Sequence, residues 1–292
     1  MKKNPVYRQE TTAGSRSFKL PLVILIFNSI LALVALLDMY SMINQVRQTA
    51  EIQYSSFLSL YVFAASVEFV MLLFLVPAMT AGSISGERER RTLNLLLTTQ
   101  MTAGDVVIGK LAANLSTILL LIVSSFPILA LVFIYGGITI LDAALLLLCY
   151  VTTAFLTGSI GVFCSAYFRK STIATVASYC ITVLLSLGTV AAYELSGVLG
   201  HGSGSNGSSG FFYLMLFNPG ATFRSVLSSQ IGVGNEIADF FPWLEQGPVS
   251  FVSEHWMLFG TVTQIGLAVV LVWLAVRKVE PVKRSAKRRT KQ

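Results

Sequence analysis

LAANLSTILLLIVSSFPILALVFIYGGITIL, residues 111–141, contains no Asp, Glu, Lys or Arg. A helix that crosses a hydrocarbon core of ~30 Å needs about 20 consecutive apolar residues, and this stretch exceeds that length. The surplus and the pair Gly136-Gly137 predict one tilted helix followed by a turn rather than two spans. Inside a bilayer each backbone amide must find its partner within its own segment, which favours helix. The alternating strands of a β-barrel are not written in the sequence.

Five further charge-free stretches lie on either side, at 20–37, 69–86, 143–168, 171–193 and 256–276. The last three reach spanning length unaided. The first two reach it once Asp38 and Glu68 are placed at or near a helix end. The expected spans are about 20–42, 57–82, 107–135, 140–168, 171–197 and 255–277. Composition agrees, with 54% of 292 residues hydrophobic, 12% charged and a mean hydropathy of +0.71. A soluble domain carries about 25% charged residues, so a soluble fold is excluded. The fold class expected is an all-α membrane protein with six transmembrane helices, a single transmembrane domain over 1–292.

The basic leader before the first apolar run, with Lys2, Lys3, Arg8, Arg16 and Lys19, resembles the start of a signal peptide. No small-x-small cleavage pattern with a mature domain behind it follows, so an uncleaved anchor is expected. The net charge of +7 is placed almost entirely on one side of the six spans. That side holds the leader, Arg88, Arg90, Arg91 and Lys110, then Arg169 and Lys170, and then the tail from Arg277 onward. Only Arg47 and Arg224 fall on the other side. The positive-inside rule then puts both termini in the cytoplasm of a bacterial-type cell whose inner membrane holds the chain. The basic tail, 278–292, is expected against anionic headgroups of the lipid bilayer, not on nucleic acid.

Two segments outside the spans are long enough to act. The first is cytoplasmic, at 83–106. The second is a long extracytoplasmic loop before span six, at 198–254. The outer one opens with the Gly- and Ser-rich coil 200–210, a flexible composition. Phe211-Phe212-Tyr213-Leu214-Met215-Leu216-Phe217 follows, too short to span, and then the turn former Asn218-Pro219-Gly220. This run either lies at the interface or dips in and returns. Phe240, Phe241 and Trp243 belong at headgroup depth.

In the cytoplasmic segment Leu93, Leu96, Leu97 and Met101 recur at helical spacing, with Glu87, Arg90, Arg91 and Asn94 on other faces. Glu87 and Arg91 form an i,i+4 pair. The pattern predicts an amphipathic helix over 86–101 on the membrane surface, with a solvated connector as the plainer alternative. Glu68 is the one acid well inside a span. Such a carboxylate faces a protein interior or a cavity, which makes it a candidate for the translocation pathway or a residue at a wet helix end.

Gly86-Glu87-Arg88-Glu89, Thr92-Leu93, Leu95-Leu96-Leu97 and Gly109-Lys110 together resemble the ABC type-2 permease family, nearest to the permeases of multicopper-enzyme maturation. The resemblance implies that the 83–106 segment couples to a separate ATP-binding cassette ATPase subunit, through Gly86, Glu87, Arg88, Glu89, Arg90, Arg91, Thr92, Leu93, Leu96 and Leu97. It also implies a pathway formed with a second permease copy or a related permease, and outward transport. ATP and Mg would be bound by the partner, with no cofactor in this chain. Many members carry Gly before the Thr; Arg91 stands there instead, which makes a helix break at that point less expected.

Gly104-Asp105-Val106-Val107-Ile108-Gly109-Lys110 meets the G-x-x-x-x-G-K spacing of a phosphate loop, but Leu111 replaces the required Ser or Thr and no strand precedes it. Cys149, Cys164 and Cys180 fall inside spans as small core hydrophobes. His201 and His255 are isolated, so no metal site is expected. No nucleophile elbow or metalloprotease motif is present, and catalysis by this chain is not expected. An ion-coupled secondary transporter and a non-transporting scaffold or sensor subunit are the competing classes.

Overall fold

The computed structural model describes residues 5–49, 54–91, 102–136, 139–192, 195, 213–231, 252 and 255–279. Among these residues the regular structure is helical, and six helices are long and apolar enough to cross a membrane. In chain order they are α2 (Lys19–Thr49), α3 (Tyr54–Thr80), α5 (Ala103–Gly136), α6 (Ile140–Tyr167), α7 (Ser171–Val183) and α9 (Trp256–Val279). A π-helical turn, Leu184–Gly188, prolongs α7 toward Ala192. Three shorter helices complete the fold. They are α1 (Pro5–Arg16), α4 (Ser85–Glu89) and α8 (Pro219–Ile231).

The centre of the bundle is α6, which packs against α3, α5, α7, α8 and α9. Its sequence explains that position. Thr152, Thr153, Ala154, Thr157, Gly158, Ser159, Gly161, Ser165 and Ala166 are all buried, and small side chains let membrane helices approach closely. At Gly161 the approach to α3 is so tight that an added Cβ would run into the Thr80 side chain and lie 3.2 Å from the Ala81 amide nitrogen. A capping box fixes where α6 begins. The Thr139 hydroxyl accepts from the Asp142 amide at 3.3 Å and the Asp142 carboxylate accepts from the Thr139 amide at 3.0 Å. The same Thr-x-x-Asp arrangement, Thr102 with Asp105, opens α5.

At the other extreme, α2 has 11% of its most apolar window buried. Leu22, Leu25, Leu33, Leu36 and Leu37 are exposed along it, the surface expected of a helix that faces lipid. Cys180 is also exposed, whereas Cys149 and Cys164 are buried. Only two of the three thiols therefore act as core hydrophobes.

Helix α8 falls within the segment expected to be an outer loop. It is a short helix wedged into the bundle, with Pro219, Thr222, Phe223, Val226, Leu227 and Ser228 buried. The Phe223 ring stacks on Phe69 at 4.2 Å and 8° and lies 6.2 Å from Tyr150. Its far end is held by Gln230, which accepts from the Tyr61 hydroxyl at 2.5 Å and donates to the Asp142 carbonyl at 2.8 Å. Its near end is held by Asn218, whose amide donates to the Ser186 carbonyl and the Thr189 hydroxyl, both at 2.8 Å. Gln264 of α9 donates to Thr222 at 2.8 Å. The structure packs Pro219–Ile231 against the helices of the bundle; Phe211 and Phe212 of the aromatic run lie outside the described residues. Residues 198–212 and most of 232–254, with Phe240, Phe241 and Trp243, lie outside the described residues.

Candidate functional site

Helix α4 sits where four other elements converge. Its first residue follows Ile84, whose side chain cannot cap a helix. Ser165 of α6 supplies the cap, its hydroxyl accepting from the amides of Ile84 at 2.8 Å and Ser85 at 2.9 Å. A helix start leaves amides unsatisfied, and in a region with little water a donated side-chain oxygen is the remedy. Beneath this contact Ile84, Val107, Val162, Ala166 and Ala275 form one buried cluster. The ends of α3, α5, α6 and α9 are thereby gathered at the same end of the bundle.

Glu89 repeats the device in the other direction. Helix α7 starts after Lys170, which provides no side-chain cap. The Glu89 carboxylate accepts from the Ser171 amide at 2.9 Å and the Ser171 hydroxyl at 2.8 Å, placing a negative charge at a helix N-terminus where the dipole favours it. Arg88 reaches the Phe168 carbonyl at 3.5 Å in the same connection. Glu87 turns the opposite way, to Lys110 of α5 at 2.7 Å. Lys110 also meets Glu10 of α1 at 2.7 Å, with its own side chain 6% exposed. Tyr7 and Ser116 add a second contact between α1 and α5 at 3.1 Å.

The expected helix over 86–101 does not run unbroken. Helix α4 ends at Glu89, and Arg91 takes a left-handed φ of 59°. That is the conformation a glycine would adopt most easily, so the break occurs even though Arg stands at this position. Arg91 is consequently not one helical turn on from Glu87, and the ion pair Glu87 makes is with Lys110. Of the residues assigned to coupling, Glu89, Arg90 and Arg91 are exposed, while Gly86, Glu87 and Arg88 are half-buried. Thr92, Leu93, Leu96 and Leu97 lie outside the described residues.

Glu68 is remote from this end. It is fully buried within the chain, and one of its oxygens is hydrogen-bonded to Ser125 of α5. The other has no hydrogen-bond partner among the described residues. Its neighbour Phe69 carries the ring on which α8 rests.

Glu10, Ser165 and Ser171 were not legible as site residues, because each acts through a partner more than eighty positions away. Helix α1 had one local signal, Pro5 at a first helical position.

No match to the chain is found among curated proteins. A family model described as ABC-2 family transporter protein matches residues 5–279. That interval takes in α1, the six apolar helices, the short helix α4 with its charged turn and the inserted helix α8. The chain therefore belongs to the ABC-2 family of transporter proteins, and is a multi-pass membrane component of an ABC transporter.

Proposed function

We propose that this chain is the permease of an ATP-driven exporter, that it works as a dimer, and that separate ATP-binding cassette subunits dock on the α4 end. The observation that carries the proposal is the construction of α4. One side leaves Arg90 and Arg91 open to a partner. The other side is fastened to α6 through Ser165, to α7 through Glu89 and to α5 through Glu87 and Lys110. A helix of five residues is too short to absorb a push by bending. A displacement imposed on it passes to three spans at once. ATP and Mg belong to the partner, and the pathway forms where two permeases meet. The end that carries α1, α4 and the Lys/Arg clusters is the cytoplasmic one, by the positive-inside rule.

Glu68 is then an interior residue of each permease, placed between α5 and the α8 wedge, and it influences transport by holding those elements in register. The decisive experiment is co-purification of an ATP-binding cassette ATPase with this chain from its native membranes. Arg91→Glu, at an exposed turn, should leave membrane insertion and the melting temperature unchanged while capture of the ATPase and coupled ATP hydrolysis fall together. Full capture with normal coupling would remove α4 from the interface and with it the argument for docking.

A further inference from the structure

Between α1, α2, α4 and α5 lies a cleft of about 610 Å³. That volume is within the ~300–1,000 Å³ range of ligand sites. Its charges are sorted by depth. At the floor the Lys110 ammonium is shared by Glu10 and Glu87, both at 2.7 Å, so the cation of the floor is neutralised without a ligand. At the rim stand Lys19 and Arg90, both exposed and neither with an ion-pair partner among the described residues. Three cations against two carboxylates leave one positive charge over, and it lies at the rim. Between floor and rim the wall is formed by Met79, Ser83 and Asn114 and by the bare backbone of Gly82 and Gly86. A Cβ built on Gly82 or Gly86 would meet nothing within 4 Å.

The position of the cleft defines what can enter. Lys19 is the first residue of the first apolar span, so the rim lies at the level where hydrocarbon gives way to headgroups. Phe18 beside it is 81% exposed, an aromatic at the depth where such rings anchor. Leu22 and Ile26 follow Lys19 by three and seven residues, on the same helix face. Both are exposed. The surface running from the rim into the membrane is therefore one cation followed by an uncovered apolar stripe. A phosphodiester with acyl chains attached has that same order of chemistry.

We propose that this cleft binds an anionic phospholipid of the adjacent leaflet, its phosphodiester between Lys19 and Arg90 and its acyl chains along Leu22 and Ile26. A lipid bound there braces α1 and the start of α2 against α4. The site shares Arg90 and the α4 wall with the docking face proposed above, but its test needs only the permease and a lipid, so either proposal can fail without the other.

The test is native mass spectrometry and thermal melting of the delipidated full chain in detergent. The added probes are phosphatidylglycerol, phosphatidylcholine or glycerol phosphate. One phosphatidylglycerol per chain should survive activation and raise the melting temperature, with phosphatidylcholine at least tenfold weaker and glycerol phosphate without effect. Lys19→Gln with Arg90→Gln should lose the phosphatidylglycerol adduct, and Lys19→Arg with Arg90→Lys should keep it. Gly82→Leu should lose it with every charge in place, by filling the space above the backbone. Equal retention of the two lipids, or undiminished binding by the Gln pair or by Gly82→Leu, overturns the proposal. A melting shift from glycerol phosphate as large as that from phosphatidylglycerol overturns it too, by showing a site for free phosphate.

Discussion

At the α4 end, charged side chains reach across element boundaries. Lys110 holds Glu10 and Glu87, and Glu89 caps a helix not its own. At the α8 end the fastenings are a stacked ring, the neutral amides of Asn218, Gln230 and Gln264, and the hydroxyls of Tyr61, Thr189 and Thr222. The two sets respond differently to a partner. The carboxylates of the α4 end stand closer to water, Glu10 being 43% and Glu87 21% exposed around the buried Lys110, so a charge released there is resolvated. A neutral amide released inside hydrocarbon finds no water, so its bond is kept. Under the proposed function, the α4 end is the one expected to move and the α8 end the one expected to stay.

That contrast fixes where substitution should hurt most. Phe223 is 6% exposed and stacked on Phe69. Phe223→Ala removes the ring around which α8 is seated and should destabilise by ~3–5 kcal/mol, as large-to-small core changes do. Denaturant unfolding in mixed micelles reads this directly. A loss smaller than that of Lys110→Met would reverse the assignment of the fixed end.

Lys110→Met should come next. Removing one partner of a buried pair costs ~3–5 kcal/mol, reduced here because the Glu10 side chain is 43% exposed; a loss of about 2 kcal/mol is expected. The sharper result lies in the combination. Lys110→Met with Glu10→Gln and Glu87→Gln leaves no charge stranded and should recover most of the stability, a non-additivity that neighbouring residues display. Additive losses would mean that the three groups do not act as one cluster. Glu87→Lys places a second cation beside Lys110, so insertion should persist while coupled ATP hydrolysis falls, through a displaced α4.

Glu68→Gln tests the boundary between the two ends. Gln retains a hydrogen-bonding oxygen for Ser125, so the chain should assemble and melt close to the parent. Coupled ATP hydrolysis in proteoliposomes should drop several-fold. Unchanged turnover with a higher melting temperature would mark Glu68 as a structural acid only.

What could be read in advance follows from the range of the physics involved. Six spans were legible because hydrocarbon admits no unsatisfied backbone, and charge-free length reports that constraint locally. Observed helix ends lie within a few residues of expectation at 140–167, where Thr139 and Asp142 write the cap into the sequence. They overshoot at α2, which runs on to Thr49 past Asp38. Helix α8 was half legible, since Asn218-Pro219-Gly220 announces a turn but nothing local states that Phe223 faces Phe69. The candidate site was legible as a motif and not as a geometry. Leucine spacing implied a helix to 101, yet periodicity carries no information about the φ of Arg91. Nor could local reading pair Glu87 with Lys110 in preference to Arg91, because the choice depends on how α4 and α5 meet.

The smallest expected effect carries the most information about the α4 end, because its sign depends on the break. Arg91 stands just past the helix with φ 59°. A side chain in that region costs roughly 1–2 kcal/mol. Glycine removes the strain but gains freedom in the unfolded chain. Arg91→Gly should therefore stabilise by ~0.5–1 kcal/mol. Were 86–101 one continuous helix, the same glycine would sit in its interior and destabilise by about 1 kcal/mol. Arg91→Ala separates charge from backbone, since it removes the guanidinium, keeps the Cβ in the strained conformation, and should leave stability where it is. Melting temperatures of the two variants, measured with capture of the ATPase, give a two-by-two outcome. Equal loss of capture with opposite or unequal shifts in stability assigns the docking to the charge and the break to the backbone. A lower melting temperature for Arg91→Gly would restore the unbroken helix and remove the turn that sets Arg90 and Arg91 apart from Glu87.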